Sequence, residues 1–292
     1  MSCIDQVVTD RYTAIHGDCI EALRGLPDHC IGYSIFSPPF ASLYTYSNSP
    51  RDMGNVRNDA EFFDHFDYLI AELRRVMKPG RNVSFHCMDM PSSKERDGVI
   101  GLKDFPGDLL RAFQRHGFIY HSKATIWKDP VTAMTRTKAL GLLHKSIRER
   151  SEMCRMGIPD YLITVRAPGE SEHVTHTVDE FPVDMWQRYA SPVWMDINPS
   201  ETLQYTSARE HDDERHICPL QLEVIRRGVM LWTNPDDIVL SPFMGIGSEG
   251  HVALEMGRRF VGVELKASYY GQATRNLDAA TRKMDDLFSS AA

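Results

Sequence analysis

The stretch Ile238-Val-Leu-Ser241-Pro-Phe-Met-Gly245-Ile-Gly247-Ser-Glu-Gly250 decides the fold. Its apolar opening predicts a strand over Asp237–Ser241, and the residues after the glycines predict a helix over Glu249–Met256. A second strand, Arg259–Glu264, follows and ends on an acid. Between strand and helix the glycines spell GxGxxG. Glycine lets the backbone turn tightly and approach a bound cofactor, and an acid closing the next strand can hold both hydroxyls of a ribose. Strand, glycines, helix, strand and acid in this order predict a nucleotide-binding βαβ unit.

Little chain follows this unit, room for one more long helix over Ala267–Leu287. An open sheet must therefore draw its other strands from the N-terminal portion, which puts the nucleotide-binding half last. The order is circularly permuted. The fingerprint by itself fits a nicotinamide dinucleotide or S-adenosylmethionine. A dehydrogenase usually carries it early in its nucleotide-binding domain, so the position here disfavours the first.

Outward from this unit the N-terminal portion also alternates strand and helix signals. Strands are expected at Thr13–His16, Gly32–Phe36 and Asn82–Cys87, and helices at Ile20–Leu26, Asp59–Met77 and Phe105–His116. In the longest of these helices Phe62, Phe66, Leu69, Ile70 and Leu73 form one apolar stripe. Lys78-Pro79-Gly80 is expected to end it. Phe118–Trp127 and Tyr161–Arg166 are strands that can pair across a basic helical stretch, and a helix over Leu220–Trp232 precedes the glycine turn. From Ala167 to Arg215 the signal is irregular and polar. The pattern predicts an α/β fold, a doubly wound, mostly parallel, Rossmann-like sheet. Residues 1–130 would form one half of the domain, 131–215 an inserted region with a strand near 161–166 returning to the sheet, and 216–292 the cofactor half.

Composition narrows the classes. Of 292 residues 42% are hydrophobic and 25% charged, within the globular range. No apolar run is long enough for a membrane span, and the acidic N-terminal residues Asp5 and Asp10 argue against a signal peptide. The six cysteines are scattered without a CxxC pair, which reads as reduced thiols in a cytoplasmic protein. A net charge of −7 is unusual for a nucleic-acid binder. A local basic stretch suffices for phosphate contacts, however, and one lies between Val131 and Arg155, with Arg136, Lys138, Lys145 and Arg148 in it.

The strand Gly32–Phe36 stops at Ser37-Pro38-Pro39-Phe40. Two prolines in a row cannot donate to a ladder, so the chain leaves the sheet there. In an open α/β sheet the carboxyl ends of the strands are where ligands bind. Ser37 Oγ and the Pro38 carbonyl can accept hydrogen bonds from an amino group, and Phe40 offers a stacking face. Those groups suit an exocyclic amine on a flipped-out base.

The two motifs together resemble the permuted, beta-group amino-methyltransferases of DNA, and the resemblance runs along most of the chain. Ser37–Phe40 matches the catalytic tetrapeptide of that family in its serine form, usually associated with N4-cytosine methylation; the aspartate form is usually associated with N6-adenine. Gly17-Asp18-Cys19 looks like the acidic turn near the cofactor's adenine. Lys78-Pro79-Gly80 resembles the turn before the fifth-motif strand. His216-Ile-Cys-Pro219-Leu-Gln221 resembles the segment that precedes the cofactor motif. Ser241-Pro242-Phe243-Met-Gly245-Ile-Gly247-Ser248 resembles Asp-Pro-Phe-x-Gly-Ser-Gly-Thr, and Val261-Gly-Val-Glu264 the ribose-binding strand end. Ser241 departs from the family's Asp, which removes a carboxylate facing the cofactor's methionine part. Cys218 and Leu220 also depart from the pattern.

The resemblance implies S-adenosylmethionine as cofactor and double-stranded DNA as substrate, with cytosine N4 as target and adenine N6 as the alternative. It implies catalytic roles for Ser37, Pro38, Pro39 and Phe40. Asp18, His216, Pro219, Ser241, Pro242, Phe243, Gly245, Gly247, Ser248 and Glu264 would bind the cofactor. The inserted region 131–215 would be the target-recognition region, and Arg136, Lys138, Lys145 and Arg148 in it would bind the DNA. A cognate restriction endonuclease and a homodimer are the expected protein partners. No carbon-5 chemistry is expected, since that needs a Pro-Cys nucleophile and the chain has only Cys218-Pro219 in reverse order. A nicotinamide-dependent oxidoreductase is the rival from another class and leaves Ser37–Phe40 unexplained. A non-catalytic DNA-binding module would need no cofactor pocket. A metal enzyme would have to use His173, His176, His211 and His216, which lack an HExxH frame and are expected to be solvated.

Overall fold

The computed structural model describes residues 3–39, 53, 56, 58–92, 94–137, 142–204 and 219–290. In chain order, the first half begins with β1 (Cys3–Val8), β2 (Tyr12–Gly17), α1 (Cys19–Arg24) and β3 (Ile31–Phe36). It continues through α2 (Asp59–Val76), β4 (Met77–Cys87), β5 (Met90–Ser92), α3 (Lys94–Asp97), β6 (Gly101–Lys103), α4 (Phe105–Arg115) and β7 (Ile119–Ile126). Then come α5 (Pro130–Thr137), α6 (His144–Arg150), β8 (Asp160–Arg166), α7 (Val183–Tyr189) and β9 (Val193–Trp194). The last part is α8 (Leu222–Trp232), β10 (Ile238–Ser241), α9 (Ser248–Glu255), β11 (Arg259–Glu264) and α10 (Ala267–Ser290). Among the described residues no helix is long and apolar enough to cross a membrane.

Among the described residues nine strands form the main sheet in the order β1-β2-β11-β10-β3-β4-β8-β7-β9. The run from β2 to β4 is parallel throughout. On one side β8 and β7 add antiparallel pairing, and on the other β1 folds back on β2. The permuted order follows from the pairing itself: β10 and β11, last in the chain, lie between β2 and β3, which come early. Every residue of β3 is buried, as a strand covered by helices on both faces must be.

The two faces have separate cores. Phe36, Leu240 and Val263 point to the side packed by α1, α2 and α4, where the stripe of Phe62, Phe66, Leu69, Ile70 and Leu73 is fully buried. Tyr33, Ile35, Val239 and Phe260 point to the other side and meet Val224, Val229, Val252 and Leu277 of α8, α9 and α10. That is the doubly wound arrangement expected from the alternation.

Three local features differ from expectation. Lys78-Pro79-Gly80 does not separate helix from strand, because α2 ends at Val76 and β4 already begins at Met77. The pairing of β3 with β4 jumps there, from Ile31↔Met77 to Tyr33↔Asn82, so the proline that cannot donate sits in a bulge of the ladder. β1 was hidden by its solvent exposure, which leaves no apolar alternation to read. Within the polar 167–204 region, α7 and the two-residue β9 appear, the latter pairing with Thr125 and Ile126 of β7.

Candidate active site

β10 and β3 are neighbours and parallel, with Val239 opposite Tyr33 and Leu240 opposite Ser34. The Ser34 hydroxyl donates to the Leu240 carbonyl at 3.0 Å, a cross-strand tie inside the sheet. Both strands end at the same edge, so the turn at Ser37 and the turn at Gly245 leave the sheet side by side. Phe36 and Phe243 touch there, with ring centroids 5.7 Å apart. The structure thus brings together the two motifs that lie near opposite ends of the chain.

The glycine turn is held by its own hydrogen bonds. Met244 N–H donates to the Val263 carbonyl and Gly247 N–H to the Met244 carbonyl, each at 2.8 Å. Gly247 takes a φ of +86° at the N-terminus of α9, and Gly245 one of +54°, a region that L side chains avoid. A Cβ on Gly245 would meet nothing within 4 Å, so the backbone there borders open space. Glu264, at the end of β11, accepts from Gly245 N–H at 2.9 Å and from Lys266 N–H at 2.8 Å, one on each carboxylate oxygen. These two bonds orient the Glu264 carboxylate beside the glycine turn.

Ser241 and Ser248 flank this turn, and both hydroxyls are buried with no hydrogen-bond partner among the described residues. Buried polar groups are normally paired, so two orphans beside an open backbone cradle fit a polar ligand. The donor set matches the ribose and methionine parts of S-adenosylmethionine. Pro242 is buried and Phe243 partly so. Asp18 stands just after β2, where it caps α1 by accepting Glu21 N–H at 3.0 Å, which leaves its other oxygen uncommitted by the cap. Pro219 lies just before α8. His216 and Phe40 lie outside the described residues, as do Lys138 and His211.

The Ser37 turn has neighbours that sequence patterns did not single out. Ser37 Oγ lies 3.2 Å from Nδ1 of His86, near the end of β4. The opposite ring nitrogen, Nε2, lies 3.2 Å from Oδ2 of Asp160, the first residue of β8. Nε2 is buried and makes no well-aligned hydrogen bond, so this contact is mainly electrostatic. Lys128, just past β7, reaches Asp160 Oδ1 at 2.6 Å. Burial alone would raise the Asp160 carboxyl, but His86 and Lys128 outweigh it and hold the group below the usual carboxylate range. Asp160 therefore stays ionised. The signal that could have pointed to His86 is an ionisable residue near the carboxyl end of the buried strand segment Val-Ser-Phe-His-Cys.

Glu249 likewise carries no sequence signal of its own. It is buried in the first turn of α9, and burial, with some help from Glu264, pushes its carboxyl up to about 8. The basic residues lie on the segment that leaves the sheet after Lys128. Arg136 belongs to α5, and Lys145 and Arg148 to α6. Lys145 is 82% exposed, paired only loosely with Glu149 at 4.0 Å. The segment departs after β7 and returns at Asp160, on the same edge as Ser37.

Residues 33–275 match the DNA methylase family of N6 and N4 methyltransferases. Among relatives, the type II methyltransferase M.BglII of Bacillus subtilis is 23% identical over 259 residues, which cover 87% of this chain and 65% of the relative. The DNA adenine methyltransferase YhdJ of Escherichia coli is 24% identical over 281 residues, 92% of this chain and 83% of the relative. Among solved structures, TTHA0409 of Thermus thermophilus carries a provisional name as a DNA modification methylase and was solved with S-adenosylmethionine. It superposes with a TM-score of 0.68 at 21% identity, over 94% of this chain and 96% of that one. The cytosine-N4-specific PvuII DNA methyltransferase superposes with a TM-score of 0.66 at 17% identity, over 97% and 93%.

Proposed function

Because the chain belongs to the DNA methylase family, we propose that this S-adenosylmethionine-dependent enzyme methylates the N4 amino group of cytosine in double-stranded DNA. The observation that carries the reading is the adjacency of the Ser37 and Gly245 turns on neighbouring parallel strands. S-adenosylmethionine supplies an electrophilic methyl group on its sulfonium. Gly245, Gly247, Ser241, Ser248 and Glu264 would hold it, with Asp18, Pro242, Phe243, Pro219 and His216 around it. The rest of the chemistry belongs to the Ser37 turn.

An exocyclic amine is a poor nucleophile because its lone pair is conjugated into the ring. Hydrogen bonds from its two N–H groups to Ser37 Oγ and the Pro38 carbonyl would localise that pair toward the methyl group. Phe40 would stack on the extruded base, offsetting the few kcal/mol lost on unstacking. Holding both reactants in line is the main contribution asked of the protein. Arg136, Lys138, Lys145 and Arg148 would meet backbone phosphates.

Serine at the first position of the tetrapeptide supports cytosine. Adenine N6 is the second reading, favoured by the similarity to YhdJ, a DNA adenine methyltransferase. Mass spectrometry of nucleosides from DNA treated with enzyme and cofactor decides between them. N4-methylcytosine is the expected product, and N6-methyladenine in its place overturns the base assignment. M.BglII is a type II methyltransferase, which supports a cognate restriction endonuclease as partner. A homodimer is the other partner the reading includes.

A further inference from the structure

Ser37, His86, Asp160 and Lys128 come from four neighbouring strands and form one line of polar groups along the carboxyl edge of the sheet. We propose that His86 takes up the proton that leaves the exocyclic amine, with Ser37 as relay and Asp160 as the charge that keeps the imidazole's own proton on Nε2. The proposal rests on the reading that Ser37 holds the amino group.

The geometry sets the tautomer. An ionised carboxylate beside Nε2 favours the proton on that nitrogen, which leaves Nδ1 as an acceptor facing Ser37. The serine hydroxyl then donates to Nδ1 and turns its lone pairs outward, where an amine N–H can donate to them. Asp160 is only 5% exposed and His86 12%, so the charge that favours this arrangement acts with little solvent screening. A histidine kept for packing alone has no need of a buried carboxylate at one ring nitrogen and a hydroxyl at the other.

In the transfer, the amino nitrogen forms its bond to the methyl carbon as the carbon–sulfur bond breaks and leaves its electron pair on sulfur. The nitrogen then carries one proton too many. That proton passes to Ser37 Oγ as the serine proton passes to His86 Nδ1, and the imidazolium so formed faces the Asp160 carboxylate. Release of the proton to solvent resets the line. The charge lost at sulfur appears on His86, beside its counter-ion. Other ionisable groups near His86 do not compete for this role. On its own strand the buried Cys87 thiol is pushed well up by burial, and beyond β4 the Asp89 carboxyl is raised, chiefly by burial, and accepts from the Tyr161 hydroxyl.

The test is single-turnover transfer of a tritiated methyl group to DNA across the range in which histidine titrates, about pH 5 to 8. Calorimetry with S-adenosylmethionine checks each variant's fold. His86→Gln, which keeps a hydrogen-bonding side chain but cannot accept the proton, is expected to slow transfer about 100-fold. Cofactor affinity and the KM for DNA should stay unchanged, and the fall in rate on the acid side should disappear. Asp160→Asn removes the counter-ion, so that acid-side fall should move to lower pH. It also carries the test if His86→Gln does not bind cofactor. Near-wild-type transfer by His86→Gln, or an acid-side fall unmoved in either variant, overturns the proposal. Ser37→Ala separates the two levels. If it transfers as fast as wild type, the serine reading fails and the relay falls with it. If it is slow while His86→Gln is fast, only the relay fails.

Discussion

Phe36 and Phe243 stand with ring centroids 5.7 Å apart and planes tilted by 58°, one closing β3 and the other just past β10. Their contact joins the roots of the two turns on which the chemistry depends. A methyl group moves between ligands of those turns only if both leave the sheet in register. This pair of rings lies where that register must be kept.

Phe36 is fully buried. Phe36→Ala should cost about 3–5 kcal/mol, the usual range for emptying a buried phenylalanine site. Urea denaturation followed by circular dichroism measures it, and an unchanged midpoint would contradict a supporting role for this ring.

Ser37→Ala and Phe40→Ala should still bind S-adenosylmethionine, since neither residue belongs to the glycine turn. Methyl transfer should fall on the order of 100-fold in Ser37→Ala, the size of effect that misplacing a reacting group produces. Transfer at wild-type rates in both variants would remove the tetrapeptide from the mechanism.

Glu249 should give the cofactor-free protein a pH-dependent stability. Burial pushes its carboxyl up to about 8, whereas an unfolded chain ionises glutamate at about 4.3. Between those values the native state holds a proton that the unfolded state has released, so stability falls as pH rises through the window. The penalty is absent below it and complete above it. Glu249→Gln should flatten this dependence and be the more stable protein at alkaline pH. Urea titrations of both proteins at several pH values test this, and parallel curves would refute it.

Neutralising Arg136, Lys138, Lys145 and Arg148 together should weaken DNA binding and flatten its salt dependence. Each lost phosphate contact reduces the slope of log affinity against log salt by about 0.9. Fluorescence anisotropy over a salt series reads the slope. An unchanged slope would take this segment out of the DNA interface.

Much of the fold was legible because its signals are local. The apolar stripe of α2, the prolines after Phe36 and the glycines after Ser241 each act within a few residues. The helix ends just before Lys78-Pro79-Gly80 as expected, but the strand expected only from Asn82 already begins at Met77 and carries the proline and glycine in a bulge, since these residues mark a broken ladder and a broken helix alike. The exposed β1 and the short β9 carry no periodic signal, because their pairing is decided by the neighbouring strand.

From the sequence alone came the alternation of strands and helices, the permuted order, and both turns with the residues they contain. Chain-local geometry requires no more than that. Only the folded sheet decided that His86, Asp160 and Lys128 line up behind Ser37, and that Glu264 braces Gly245. Those contacts depend on the register between strands far apart in the chain. Register is set by how whole faces pack, which no short stretch of residues encodes.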